Sequence, residues 1–176
     1  MAEAAEAFRK EYNVPGLAIA FTRGGQFVHE AAFGLADRVS GETLTPEHRF
    51  RIASISKPIT AVAIFTLIEA GKLGLDDRVL GREGVLGEVY GPISSDSRLS
   101  RITVDHLLTH TAGGWPNDRS DPMFYESKTE QAALIEATLS NRPPTRDPGT
   151  QHAYSNFGYC LLGRVIERVS GSPYAD

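Results

Sequence analysis

Apolar positions along this chain follow two periods, and the switches between them mark the elements. Ala, Phe and charged residues over 3–12 keep helical spacing, ended by Asn13-Val14-Pro15-Gly16. Leu17, Ile19 and Phe21 then alternate, as expected of one face of a strand over 17–23. Gly24-Gly25 supplies the positive φ of a tight hairpin before a second strand over 26–33. From Gly34 to Pro46 the chain reads as connection, with Asp37 and Ser40-Gly41 as turn signals, and Phe50–Ala53 as a short approach. Helical period returns with Ile59, Val62, Phe65 and Ile68, widened by Ile55, Ile64 and Leu67. This spacing predicts a helix over 55–70 buried on most sides, stopped at Gly71, with Pro58 tolerated in its first turn.

Beyond it, a glycine-rich stretch through Gly81, Gly84, Gly87 and Gly91 has neither phosphate-binding spacing nor a strand–turn–helix context, and reads as a flexible loop. A short helix is expected over 103–109, then the turn Thr111-Ala-Gly-Gly-Trp-Pro116. Ser127-x-x-Glu130 has the form of a capping box for a helix through about Leu139. A proline-rich loop over 141–149 precedes an amphipathic helix over 157–169, which Ser170-Gly171 ends. Ser172-Pro173 reads as another helix start. No internal repeat is visible.

Two stretches carry candidate chemistry. Ser54-Ile-Ser-Lys57 places a hydroxyl and an amine three residues apart at a helix start, where one face brings them together. A serine needs a base to become a nucleophile, which a lysine of lowered pKa can be, and the N–H groups of a helix N-terminus suit a developing oxyanion. The same residues also fit a plain N-cap followed by a solvated lysine. Tyr154-Ser-Asn156 lies on a turn ahead of the last long helix. A tyrosine whose pKa is lowered by Lys57 can take the Ser54 proton and return it to a leaving group, while Asn156 can bond to Lys57 and to a substrate amide or carbonyl. The bland alternative is a core-edge tyrosine and a capping asparagine. His106 and His110 share a helix face, but Leu107 stands where a zinc protease carries glutamate and no third ligand suggests itself. They read as helix-end histidines in local hydrogen bonds, and no metal is expected.

Composition narrows the picture further. With 176 residues, 41% hydrophobic and 23% charged, the chain suits a globular core. A net charge of −4 without a basic cluster argues against nucleic acid, and no apolar run reaches the length of a membrane span. The one cysteine, Cys160, falls in an apolar helical pattern and excludes an internal disulfide. The N-terminus is acidic and helical, unlike a signal peptide. Localisation stays open between cytoplasmic and secreted with a signal removed.

Taken in order, Ser54-Ile-Ser-Lys57, Leu73-Gly-Leu-Asp-Asp-Arg-Val79, Ile102-Thr-Val-Asp-His-Leu-Leu-Thr-His-Thr-Ala-Gly113 and Pro148-Gly with Tyr154-Ser-Asn156 resemble the class C β-lactamase and penicillin-binding-protein-related serine hydrolases, a family of DD-peptidases, β-lactamases and esterases. The resemblance covers nearly the whole chain. It implies an acylated nucleophile at Ser54, a proton-transfer pair in Lys57 and Tyr154, and a substrate-orienting Asn156. Trp115, after the Gly-Gly turn, is a candidate lining residue of the cleft, with an exposed or core position an equal alternative. It also implies an α+β fold, in which an N-terminal helix and hairpin belong to an antiparallel sheet beside an all-helical lobe, with no cofactor.

The family's third motif, Lys-Thr-Gly or His-x-Gly, has no counterpart. Lys128-Thr129-Glu130 lacks the glycine and sits at an expected helix start. A lone hairpin is also marginal in water. The expectation is therefore one incomplete domain with its remaining strands missing. Residues 1–57 lead to the nucleophile, and 58–176 form a mainly helical region. A second chain or copy is a candidate to complete the sheet, beside a small-molecule or peptide substrate. Two functions stand: a serine hydrolase acting on β-lactam, D-Ala-D-Ala peptide or ester, and a non-catalytic binding or interaction domain on the same fold.

Overall fold

The computed structural model describes residues 2–95, 97–125 and 130–176, and the fold is α+β. The chain divides into two compact units, 1–52 and 53–176. The Ser-x-x-Lys stretch lies wholly within the second unit.

In the first unit, helix α1 (Ala2–Glu11) precedes an antiparallel hairpin of β1 (Gly16–Arg23) and β2 (Gln26–Gly34). Leu17 pairs with Phe33 and Ile19 with Ala31, and a bulge between Phe21 and Thr22 bends the outer end. Gly24 and Gly25 both take positive φ, as a two-residue turn requires. The end of the hairpin near Gly16 and Gly34 is half-buried, whereas Phe21, Phe27 and Val28 near the turn are exposed. The connection after β2 folds back on itself, with Ala36 N–H donating to Glu42 O and Leu44 N–H to Gly34 O, which buries Leu44.

The second unit holds α2 (Ser56–Glu69), α3 (Val104–Leu108), α4 (Pro122–Tyr125), α5 (Gln131–Asn141) and α6 (Asn156–Ser170). Its core is built around α6. Phe157, Leu161, Leu162 and Val165 are fully enclosed by Ile64 of α2, Val104 and Leu107 of α3, Ile135 and Leu139 of α5, and the segment from Leu73 to Ile102. Ser155 caps α6 by accepting from Gly158 N–H at 3.1 Å, and Gly171, at φ 76°, closes it in the left-handed conformation.

Three expectations change here. α2 buries one face only: Thr60 and Ile64 face the core, while Ile55, Ile59, Val62 and Phe65 are exposed, Val62 at 66%. Apolarity on all sides told what the helix prefers, not what covers it. The glycine-rich stretch is a compact loop rather than a loose one. Leu86 N–H donates to Val79 O, Gly81 N–H to Gly87 O, and burial of Val79, Leu80 and Leu86 pins it to the core. Ser172-Pro173 starts no helix; the segment turns back, so that the Tyr174 hydroxyl meets Thr60 Oγ1 at 2.6 Å and its N–H reaches Glu167. The expected capping box at Ser127 and the Lys128-Thr129 pair lie outside the described residues. α5 begins at Gln131, with no side-chain cap from Glu130.

Candidate active site

Ser54 stands in a single 3₁₀ turn, Ala53–Ile55, immediately before α2. Such a turn stacks residues three apart, which aligns Ser54 with Lys57 in the first turn of the helix. The helix N-cap position falls to Ile55, which offers no capping side chain, so Ser54 is not a cap. Its hydroxyl is exposed and accepts from Lys57 Nζ at 3.2 Å. Ala53 holds φ at +45°, a conformation a residue with a Cβ rarely adopts, so backbone strain lies directly beside the serine.

The opposite side is the segment leading into α6, which is laid along the turn after α3. Gly149 N–H donates to Thr111 O and Ala153 N–H to His110 O, both at 2.8 Å; Ser155 N–H donates to His110 Nδ1 at 3.0 Å, and Asn117 N–H donates to Tyr154 O at 2.8 Å. Gly113, at φ 86°, receives Thr145 and Arg146 N–H on its carbonyl, and a side chain there would strike the Arg146 backbone. This frame presents Tyr154 and Asn156 toward Lys57.

Lys57 Nζ donates to Asn156 Oδ1 at 2.6 Å, and the Asn156 amide in turn donates to Asn117 Oδ1 at 3.1 Å and Asp121 Oδ2 at 2.8 Å. Two acceptors on the nitrogen side fix the amide so that its oxygen faces the lysine. Asp121 is 1% exposed, and its other oxygen accepts from Met123 N–H at 2.9 Å. The Tyr154 pKa lies below the ordinary tyrosine value. A hydrogen bond from Lys57 is the largest cause and one with Ser54 the next, partly opposed by burial. Tyr159, whose hydroxyl donates to Leu108 O, is pushed the other way by burial.

Ser54, Lys57, Tyr154 and Asn156 therefore form one connected cluster. Trp115 lies outside this cluster, in the core, a position the sequence left as open as the cleft. At 4% exposed, it packs edge-on to Phe157 at 4.8 Å and donates its indole N–H to Arg142 O, because an indole in a core needs one polar partner. The histidine pair separates. His106 Nδ1 accepts from Thr103 N–H in a capping box, while His110 turns to the Tyr154 segment. Among the described residues, no group of three or more His, Cys, Asp or Glu is placed to hold a metal ion, and no helix is long and apolar enough to cross a membrane. Asn117 and Asp121 join the site unannounced, and His110 joins it in a role that its helical spacing with His106 did not suggest. Asn117-Asp118 and Ser120-Asp121-Pro122 carry only turn signals in sequence.

Chemically, the arrangement offers a solvent-facing hydroxyl, a lysine amine bonded to Ser54 and Asn156 and 4.7 Å from the Tyr154 ring centroid, and a phenol shifted toward ionisation. Comparison with known proteins points the same way. The family model described as Beta-lactamase matches residues 1–176. Penicillin-binding protein 4 of Amycolatopsis lactamdurans is 30% identical over 97% of this chain and 42% of its own length. Esterase EstB of Burkholderia gladioli is 34% identical over 97% of this chain and 44% of its own. The solved β-lactamase/D-alanine carboxypeptidase of Pseudomonas syringae superposes with a TM-score of 0.76 at 29% identity, over 98% of this chain and 44% of that one. The chain thus spans less than half the length of these relatives.

Proposed function

The chain belongs to the β-lactamase family of serine hydrolases, and on that footing we propose that Ser54 is the nucleophile of an acyl-transfer reaction on an amide or ester carbonyl. The observation that carries this reading is Lys57 Nζ bonded to Ser54 Oγ and Asn156 Oδ1 and lying 4.7 Å from the Tyr154 ring centroid, with the Tyr154 pKa lowered by Lys57 and Ser54. In this reading Lys57 stays charged, donating to Ser54 and Asn156 and favouring the ionised form of Tyr154. The Tyr154 phenolate therefore takes the Ser54 proton as Oγ attacks the carbonyl carbon. The tetrahedral oxyanion collapses, the leaving nitrogen or oxygen takes the proton from Tyr154, and Ser54 is left acylated. Water then attacks the ester with Tyr154 as base, releasing the acid and restoring Ser54. Lys57 holds the phenolate charge throughout, and Asn156, oriented by Asp121, holds Lys57 and faces the substrate amide.

Substrates in this reading are β-lactams, D-Ala-D-Ala peptides or simple esters. The exposed apolar face of α2, from Ile55 to Phe65, fits the packing of a β-sheet supplied by a further segment or a second copy, and a homologue from Pyrococcus abyssi is octameric. A fluorophosphonate and a fluorescent penicillin test the nucleophile. Label is expected on Ser54 and lost in Ser54→Ala. Label that persists in the variant overturns the assignment, and binding of penicillin without covalent label turns the reading to a non-catalytic binding domain.

A further inference from the structure

His110 has no task in the reaction above, yet it meets Tyr154 on three sides. Its carbonyl accepts from Ala153 N–H at 2.8 Å, and its Nδ1 accepts from Ser155 N–H at 3.0 Å. These two donors are the N–H groups of the residues on either side of Tyr154. The imidazole ring lies against the phenol, with centroids 4.4 Å apart and planes inclined by 32°. On its other sides it meets the His152 ring edge-on at 5.7 Å and Tyr159 at 5.1 Å. Its backbone holds φ at +59°, an unusual conformation for a residue with a Cβ, and one that lets carbonyl and ring serve the same segment. One residue thus holds Ala153 and Ser155, the two neighbours of Tyr154, and supports its ring.

We propose that His110 is the positioning residue of Tyr154, that it does so only as the neutral imidazole with its proton on Nε2, and that protonation at Nδ1 releases the Tyr154 segment and closes the site down in acid. The inference rests on the reading of Tyr154 as proton acceptor, and it adds a pH control to that reading. An Nδ1 that accepts a backbone N–H cannot also carry a proton, so the tautomer follows from the bond. The charged and titratable groups facing the ring are His152 and Tyr154 from the same segment, Tyr159 from α6 and Lys57 from α2. Burial first, then His152 and Lys57, hold the His110 pKa below its ordinary value, which keeps the neutral form in place near neutrality. The sign follows. A histidine lowered in the folded state contributes no penalty above the unfolded value near 6.5, and it destabilises the fold as pH falls from there toward its folded value.

Two variants and one spectroscopic signature test this. In His110→Asn, Oδ1 takes the place of Nδ1 and accepts Ser155 N–H without titrating. In His110→Phe, the ring remains and the acceptor is lost. Imidazole ¹⁵N spectra of the wild type are expected to show His110 with a bare, hydrogen-bonded Nδ1 and a protonated Nε2 at neutral pH. Tyrosine ¹³Cζ titration, assigned with Tyr154→Phe, is expected to show Tyr154 ionising early in the wild type and in His110→Asn. In His110→Phe it should move back toward the ordinary value near 10. Acidification should shift the Tyr154 and Ser155 resonances in step with His110 in the wild type, but not in His110→Asn. An Nδ1–H tautomer, a His110 already charged at pH 7, or a Phe variant with unmoved Tyr154 ionisation each overturns the proposal. If the Phe variant does not fold, the wild-type tautomer and the contrast with His110→Asn in acid decide. None of these readouts needs acylation. A site that shows them yet never labels at Ser54 fails the functional reading while keeping this one.

Discussion

The two segments that build the cluster are held in opposite ways. The Tyr154 side is tied down by backbone donors to Thr111, His110 and Gly113 and by Asn117 reaching back to Tyr154, with the buried carboxylate of Asp121 behind Asn156. The Ser54 side is a single exposed turn with a strained alanine at its start, running into α2, which buries Thr60 and Ile64. One side is preorganised by hydrogen bonds, and the other is poised in the open. The contrast suits the acyl transfer proposed for this site, since groups that hold charge must not move when the charge shifts, whereas a nucleophile must be reachable.

Removing the link between the two sides should have the largest effect. Lys57→Met keeps the stem and deletes the ammonium that bonds Ser54 and Asn156 and lowers Tyr154. Acylation by fluorophosphonate should slow by roughly 10²- to 10⁴-fold, the scale of losing a positioned acid–base pair. Tyr154 should titrate near its ordinary value. Its folded-state pKa is depressed, so its contribution to stability is present above the unfolded value near 10 and is lost as pH falls through the folded value. Wild-type stability should accordingly climb on approaching pH 10, and the variant should lose this climb while Tyr159, raised by burial, still ionises late. A variant that keeps both its labelling rate and the early phenol would leave the two sides uncoupled.

The next test strikes only the preorganised side. Asp121→Ala strands the Asn156 amide and the Met123 N–H in a buried setting, at a cost of about 1–3 kcal/mol in unfolding free energy. Asp121→Asn retains one acceptor oxygen and should lose less. Chemical denaturation reads both, and labelling should fall with them as Asn156 loses its fixed orientation. If the alanine variant matches wild-type stability, the hydrogen-bonded frame is not what holds this side.

Much of this arrangement is local in sequence, and that part was legible. The hairpin follows from alternation interrupted by Gly24-Gly25, and the Ser54–Lys57 pairing from a spacing of three at a helix start. The meeting of Lys57 with Asn156, 99 residues apart, has no spacing rule behind it; only the order of several motifs suggested it. Asp121 and Asn117 looked like turn residues because local turn chemistry uses the same side chains that orient an amide across the fold. His110 was weighed with His106 as a ligand pair, since helical spacing cannot show that each Nδ1 is already occupied by a backbone donor. The exposure of Ile59 and Val62 and the burial of Trp115 depend on which surfaces meet, which periodicity does not specify.

The smallest expected effect lies on the strained side. Ala53 occupies the left-handed region at φ +45°, where a Cβ crowds the following carbonyl and costs about 1–2 kcal/mol. Glycine accepts this conformation freely, but it also gives the unfolded chain more freedom, which takes back roughly 0.5–1 kcal/mol. Ala53→Gly should therefore raise the denaturation midpoint slightly, by no more than about 1 kcal/mol, with an unchanged dependence on denaturant. It deletes no hydrogen bond of the cluster, so Tyr154 should ionise as before. Ser54, in a turn freer to wander, should label no faster than wild type. Together these outcomes would place stored strain beside the nucleophile and leave the Tyr154 side untouched. A clear loss of stability would mean that the Ala53 methyl packs usefully and that the turn is held by contact rather than strained, which would erase half of the contrast between the two segments.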